Sequence, residues 1–262
     1  MKTKTIVLTL LLGMLTINAG AQQGKSELEQ DGLRGNVKKV SATMYEAVVD
    51  RDGEMQYGDQ LERIETIYNE KGQRRSMTFL SADEDSLLFR SRYKHDGFGL
   101  TTLEHIVDNR DRIIGRTYYI YDKDLVLTES YVEDAERQIE HRVRYKYNDA
   151  KQLVQRSYND AKNNVYRREV YSYDFDGDVY HTSVFDRSNT KIRDFNYEYD
   201  DHNQPINITL YEYTDVDAEI STTLYQYKYD SHGNWIQKTQ YVLDKDTAVP
   251  SYITNRKIEY FE

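Results

Sequence analysis

The residues able to do chemistry in this chain are six histidines, an abundance of carboxylates and one tryptophan. The histidines are His95, His105, His141, His181, His202 and His232. A serine hydrolase needs a nucleophile, a histidine and an orienting carboxylate brought together, and the Gly-x-Ser-x-Gly elbow is absent. His95, His202 and His232 occupy equivalent places in three polar turns, where a polar residue serves the turn itself. The 45 acidic residues supply many close pairs for glycoside hydrolysis, but no pair stands apart from the rest. Asp174-x-Asp176-Gly177-Asp178 and Asp50-x-Asp52-Gly53-Glu54 match the opening of a calcium loop. The later oxygen ligands and the closing bidentate acid are not at the required spacing, and Asp-Gly is also a strong hairpin-turn signal. With no cysteine and no histidine cluster, thiolate zinc or iron sites are excluded. The sequence therefore assigns no catalytic residue, no metal and no cofactor. What remains is an aromatic group, Tyr225, Tyr227, Trp235 and Tyr241, expected as a ligand-binding surface for sugar stacking or a protein contact. For Trp235 itself a packed repeat position is the favoured reading, because it stands where Val37, Val179 and Pro205 stand in other copies.

The elements that position these groups follow from the stretch Tyr225–Trp235, Y-Q-Y-K-Y-D-S-H-G-N-W. Tyrosine alternates with polar residues, a Tyr-Asp pair ends the run, and Gly233-Asn234 opens the next. Equivalent tyrosines recur at Tyr68, Tyr93, Tyr121, Tyr147, Tyr173, Tyr199, Tyr229 and Tyr260, 25 to 31 residues apart, a spacing that marks a repeat architecture. Before each anchor the alternation is clear: Val143, Tyr145 and Tyr147 oppose Arg142, Arg144 and Lys146. Period two with a charged opposite face predicts strands covered on one side. Asp or Asn after the tyrosine, then Gly72, Gly177, Gly233 or Asn203, predicts a short hairpin loop with a left-handed residue. The connections between units, such as Asp108–Asp111 and Asp186–Asn189, are turn-forming as well, so all neighbouring strands are expected to be antiparallel. Sixteen or so strands exceed what a flat sheet carries, and a closed barrel of that size leaves a lumen that side chains do not easily fill. The expected fold is all-β: a long antiparallel meander of β-hairpins in a strongly twisted or spiralling sheet with the tyrosine face turned inward, and a β-propeller as alternative.

At Tyr229, Asp230, Gly233 and Asn234, and again at Tyr173, Asp174 and Gly177, the chain resembles the YD-repeat family, related to Rhs repeats. The resemblance covers about Gly35 to Glu262 and implies a spiralling β-sheet of tandem units. It departs from the family pattern at Asn69, at Leu125 and at Lys151-Gln152. The motif implies a repeat type and no particular activity.

The first 21 residues read as a signal peptide, with Lys2 and Lys4, an apolar run Ile6–Ile17 and Ala19-Gly20-Ala21 before the cut. The apolar run is short for a membrane span. Residues 22–34 read as a polar lead-in, and 35–262 as one repeat domain of about eight units. Without Lys2 and Lys4 the formal charge goes from −10 to −12, which disfavours nucleic acid and an anionic membrane surface. Twenty-five tyrosines and two prolines suit half-buried strands rather than disorder. The expectation is an exported, non-enzymatic repeat protein, periplasmic or extracellular, with no transmembrane span after signal cleavage. It would offer a β-sheet surface to a protein or glycan partner at the cell envelope. The alternatives are a cell-envelope glycan hydrolase with a groove on the sheet, and a structural or assembly spacer.

Overall fold

The computed structural model describes residues 25–82, 86–214, 217–245 and 247–262; the signal-peptide pattern at 1–21 lies outside them. A single helical turn, α1 (Glu27–Gln30), precedes sixteen strands. These are β1 (Val37–Val49), β2 (Met55–Tyr68), β3 (Arg74–Leu80), β4 (Leu87–His95), β5 (Thr101–Val107), β6 (Ile113–Tyr121), β7 (Leu127–Asp134) and β8 (Ile139–Tyr147). They continue as β9 (Leu153–Asp160), β10 (Val165–Tyr173), β11 (Val179–Asp186), β12 (Lys191–Tyr199), β13 (Pro205–Tyr213), β14 (Ala218–Tyr229), β15 (Trp235–Asp244) and β16 (Thr247–Tyr260). Each strand pairs antiparallel with its sequence neighbours, and β1 pairs with β16 to close a barrel.

Closure corrects the expected open meander, and the propeller with it. The described chain starts on the second strand of a unit and ends on the first strand of another. The two edges are therefore the missing halves of one hairpin, and they pair from Val37 opposite Tyr260 to Glu46 opposite Tyr252. An open sheet would leave both rows of backbone N–H and C=O groups bare. Even the eighth turn is reproduced in two pieces. Phe261 N–H donates to Asn36 O at 2.8 Å, as Asp230 N–H donates to Asn234 O at 2.9 Å, and Gly35 takes φ +79° as Gly233 does.

The Tyr-Asp turns line one rim of the barrel, and the unit connections line the other. In the turn after β10, Asp174 Oδ1 accepts from the backbone N–H groups of Asp176 and Asp178 at 3.0 and 2.9 Å. Gly177 there is left-handed at φ +89°. Where glycine is missing, Leu125, Lys151 and Asn203 adopt the same region at φ +61°, +62° and +62°. The expected turn chemistry thus holds in degenerate copies too. A one-residue slip falls at the last residue of each first strand, His95 in β4 and the anchor tyrosine in the others: Tyr173 faces Val179, whereas the preceding Ser172 faces His181.

The tyrosine face points inward. Directly opposed residues share a face of the sheet, and Tyr225 facing Gln240, Tyr227 facing Lys238 and Tyr229 facing Trp235 run along the inner wall. Four tyrosines also tie their unit to the one before it. Tyr121, Tyr173, Tyr199 and Tyr227 donate to the carbonyls of Thr101, Leu153, Val179 and Pro205 at 2.7 to 2.9 Å. Long inward rings and guanidinium groups, such as Tyr145, Tyr171 and Arg156, fill part of the lumen.

The segment from Lys25 to Arg34 lies across the Tyr-Asp rim. Ser26 caps α1 in a reciprocal box with Glu29, and Leu28 N–H donates to Gly72 O at 2.9 Å. Leu28 and Leu33 are buried with Val37, Val40 and Tyr68 in the larger apolar cluster at this end. Glu27 accepts from Arg74 N–H at 2.6 Å and Thr101 Oγ1 at 2.5 Å, and meets His95 Nε2 at 2.8 Å. Asp31 binds the Arg74 guanidinium at 2.5 Å and Tyr68 OH at 2.5 Å. Arg34 N–H donates to Asn234 Oδ1 at 2.7 Å.

Candidate functional site

Beneath that segment is a cavity of about 970 Å³. Its walls come from strands far apart in sequence, because it straddles the closing seam. Following the register inward, Glu62 on β2 faces Met44 on β1, Met44 faces Thr254 on β16, and Thr254 faces Lys238 on β15. One row nearer the Tyr-Asp rim, Ala42 faces Arg256. Ala42 and Thr254 are small, which leaves room in front of the two cations. Tyr225, Tyr227 and Trp235 complete this wall, and Gly32, Leu33 and Arg34 contribute to the end.

The electrostatics of this wall are unusual for the barrel. Lys238 and Arg256 have no hydrogen bond or ion pair to any described residue. The Arg256 guanidinium sits 3.3 Å from the Trp235 ring centroid, and Lys238 Nζ is 5.4 Å from Trp235 and 5.5 Å from Tyr225. Arg256 Nε is buried without a partner. Burial, reinforced for Lys238 by the neighbouring Arg256 charge, pushes Lys238 down to about 8 and Arg256 down to about 10. Burial raises the Glu62 carboxyl, only partly offset by Lys238. Arg74 and Arg156, two other inward arginines, have anionic or aromatic neighbours, although the Nε of each is also buried without a hydrogen-bond partner. Arg74 is held by Asp31, and Arg156 lies between Tyr145 and Tyr171 beside Glu169, so both are pushed up. A second cavity of about 230 Å³ lies among Arg74, Tyr93, Tyr119, Tyr145 and Arg156.

Three of the four aromatic residues expected as a binding surface, Tyr225, Tyr227 and Trp235, therefore come together, but inside the barrel. Trp235 is 8% exposed and has its face covered by Arg256, so it acts as a platform for the cation. Tyr241 lies on the outer wall, facing Leu224, where its hydroxyl donates to Gln226 Oε1 at 3.0 Å. Lys238, Arg256 and Glu62 are not marked out by the sequence. Inward lysine or arginine in a strand looks like any other polar position until the bulges shift the alternation. The only signal was parity: Lys238 lies three residues beyond Trp235, so a strict alternation puts it outside.

The turn histidines serve the rim. His202 stacks on Tyr229 at 4.0 Å and His232 on Tyr260 at 4.2 Å. The Asp174 and Asp50 loops spend their oxygens on backbone N–H groups, and no metal-ligating cluster occurs among the described residues. A cluster on the outer wall brings a serine, a histidine and an acid together. His181 Nδ1 meets Asn196 Oδ1 at 2.7 Å and its Nε2 meets Ser183 Oγ at 3.1 Å. However, Ser183 donates its proton to Asp194 Oδ1 at 2.6 Å rather than to the histidine. Lys191 and Tyr213 hold the other carboxylate oxygen at 3.0 and 2.6 Å. This is a satisfied polar network with its hydroxyl committed, and it lacks an activated nucleophile.

No family model matches the sequence, and a search of curated proteins finds no match either. Among solved structures, the chain is similar to a porin-like protein from Bacteroides uniformis at 11% identity. That match has a TM-score of 0.55 over 85% of this chain and 96% of that one. Weaker similarities are to a chain of the Photorhabdus luminescens Tc holotoxin pore and to a porin-like protein from Bacteroides vulgatus. The first has 15% identity and TM-score 0.29, covering 76% of this chain and 12% of that one. The second has 12% identity and TM-score 0.28, covering 86% and 98%. The likeness to the Bacteroides uniformis protein is one of fold, and the resemblance to YD repeats rests on the turn motif alone.

Proposed function

We propose that the protein is a non-enzymatic binding barrel whose small-molecule ligand occupies the lumen at the closing seam. The observation that supports this reading is the cavity of about 970 Å³, walled by aromatic rings and unpaired cations and ended by residues 25–34. Large barrels enclose ligand chambers, and this size suits a small organic ligand. The signal-peptide pattern at 1–21 supports a location in the cell envelope or outside the cell. A panel of neutral and charged ring compounds screened by ligand-observed NMR tests the reading. Thr254→Trp puts a large ring into the cavity, so luminal ligands are expected to lose binding to that variant. Ligands that bind it as well as the parent, or a panel without any ligand, overturn the proposal.

A membrane-embedded barrel is the second reading, favoured by the porin-like fold neighbour. No described helix is long and apolar enough to cross a membrane, which says nothing about a barrel. The outer wall argues against it. Lys39, Glu65 and Arg63 form one cluster there, and Glu129, Arg142 and Arg144 another. Each cation at a bilayer midplane costs about 2–4 kcal/mol. Vesicle flotation separates the two: a protein that stays with the aqueous fraction and is monodisperse without detergent fits the binding barrel.

A further inference from the structure

Resting on the luminal-binding reading, we propose that the ligand is a small ring-bearing monocarboxylate, its carboxylate held by Lys238 and Arg256. Charge at the seam is unbalanced. Two cations from adjacent strands face the same cavity without hydrogen bond or ion pair to a described residue, and Glu62 is the carboxylate in their inward rows, while Asp31, whose charge also acts on Arg256, is taken up by Arg74 and Tyr68. With Glu62 ionised the group carries one net positive charge, which a monoanion neutralises and a dianion overshoots. Guanidinium is a planar fork suited to a carboxylate, and an ammonium adds a point charge beside it. Arg256 is held flat on Trp235 at 3.3 Å, so its orientation is set before any ligand arrives. Its Nε is a buried donor with no acceptor, and such a group is costly to leave unmade. The Nε atoms of Arg74 and Arg156 are also buried without a hydrogen-bond partner, but Arg74 is ion-paired with Asp31 and Arg156 lies between the rings of Tyr145 and Tyr171; what sets Arg256 apart is the second cation, Lys238, facing the same cavity.

The cavity beyond the cations suggests the rest of the molecule. Tyr225, Tyr227, Met44 and Ile208 line it with apolar surface, and Gln240 and Thr254 supply polar atoms. A flat aromatic ring or a sugar ring fits such a wall by stacking and scattered hydrogen bonds.

Trp235 is the only tryptophan and touches the proposed anion clamp, so its fluorescence reports on the site directly. The parent protein is titrated with benzoate, glucuronate, inorganic phosphate and the neutral amide benzamide, with calorimetry as a second readout. Saturable binding of benzoate or glucuronate is expected, with benzamide at least tenfold weaker. Lys238→Met is expected to weaken carboxylate binding tenfold or more, and Glu62→Gln to strengthen it severalfold by removing like charge. Arg256→Met risks misfolding through loss of the Trp235 stack, so the other two variants carry the test. Equal binding of benzoate and benzamide, both lost in Thr254→Trp, overturns the carboxylate clamp and leaves luminal binding standing. Tighter binding of phosphate than of either carboxylate, or no effect of Lys238→Met, also overturns it. Absence of any saturable response overturns the clamp as well.

Discussion

At the scale of single residues, the two seam cations trade stability for a charged site. Lys238 sits in the folded barrel with a pKa lowered to about 8, against an ordinary value of 10.5. Between those values the unfolded chain holds more protons, so folding stability from this group rises as pH rises through that window. Lys238 faces Arg256 on β16, Glu62 on β2, and Tyr225 and Tyr227 on β14. Tyrosine works in the opposite direction. Burial pushes Tyr158, Tyr173 and Tyr197 up to about 12, so their unfolded forms ionise first and stability falls above roughly pH 10. Urea unfolding at pH 7, 9 and 11 is expected to show a small gain and then a steep loss. Lys238→Met should abolish the gain and raise stability at pH 7 by about 1–3 kcal/mol, as expected when an apolar chain replaces an unneutralised buried charge. A destabilised Lys238→Met barrel would show that this charge is compensated after all. None of this was legible in the sequence. The charge of Lys238 is visible there, but its burial depends on the one-residue slip between Trp235 and Gln237, where Tyr229 faces Trp235 and Lys228 faces Gln237.

At the scale of elements, the Tyr-Asp turn was legible down to its left-handed residue, because its demands are local. Where the glycine has been replaced, the strain is still paid: Leu125 holds φ +61°, a region costing a side chain roughly 1–2 kcal/mol. Leu125→Gly is expected to stabilise the barrel by about 1 kcal/mol, read as a higher midpoint in chemical denaturation. The polar lead-in was legible only as polar. Its docking follows from Glu27, Leu28 and Asp31 meeting partners on β2, β3, β4 and β5, among them Tyr68, Arg74, His95 and Thr101. Gly72 is the tight point, since a Cβ there would sit 2.9 Å from Ser26 Oγ and 3.2 Å from Leu28 Cβ, at φ +71°. Gly72→Ala should therefore loosen residues 25–34 while the strands persist. Faster proteolysis confined to that segment, with unchanged far-UV circular dichroism, is the expected result.

At the scale of the whole molecule, closure is the property that creates the site. Ser41 and Lys257 face each other across the β1–β16 seam on the outer wall, and the chain has no cysteine of its own. A Ser41→Cys, Lys257→Cys double variant is expected to form an intramolecular disulfide under mild oxidation, seen as a mobility shift reversed by reductant. An open spiral would keep those positions apart and give no such product. The outer wall carries its own expectation at this scale. With charged clusters at Glu65 and Glu129, the barrel should sediment as a discrete species in buffer without detergent.

The sequence by itself determined the strand-and-turn unit, its antiparallel sense and its number of copies, because alternation and turn geometry act over a few residues. It also determined that one face would be tyrosine and the other charged. Only the tertiary structure decided that the sheet closes, since closure depends on two edges more than two hundred residues apart matching in register. Closure made the inward tyrosine face the wall of a lumen. It set Trp235, expected as a packed repeat position, beneath Arg256 as a buried support, and left Tyr241 outside. The cations that single out one part of that lumen are set by bulges and by strands meeting at the seam, and neither is written in any one repeat.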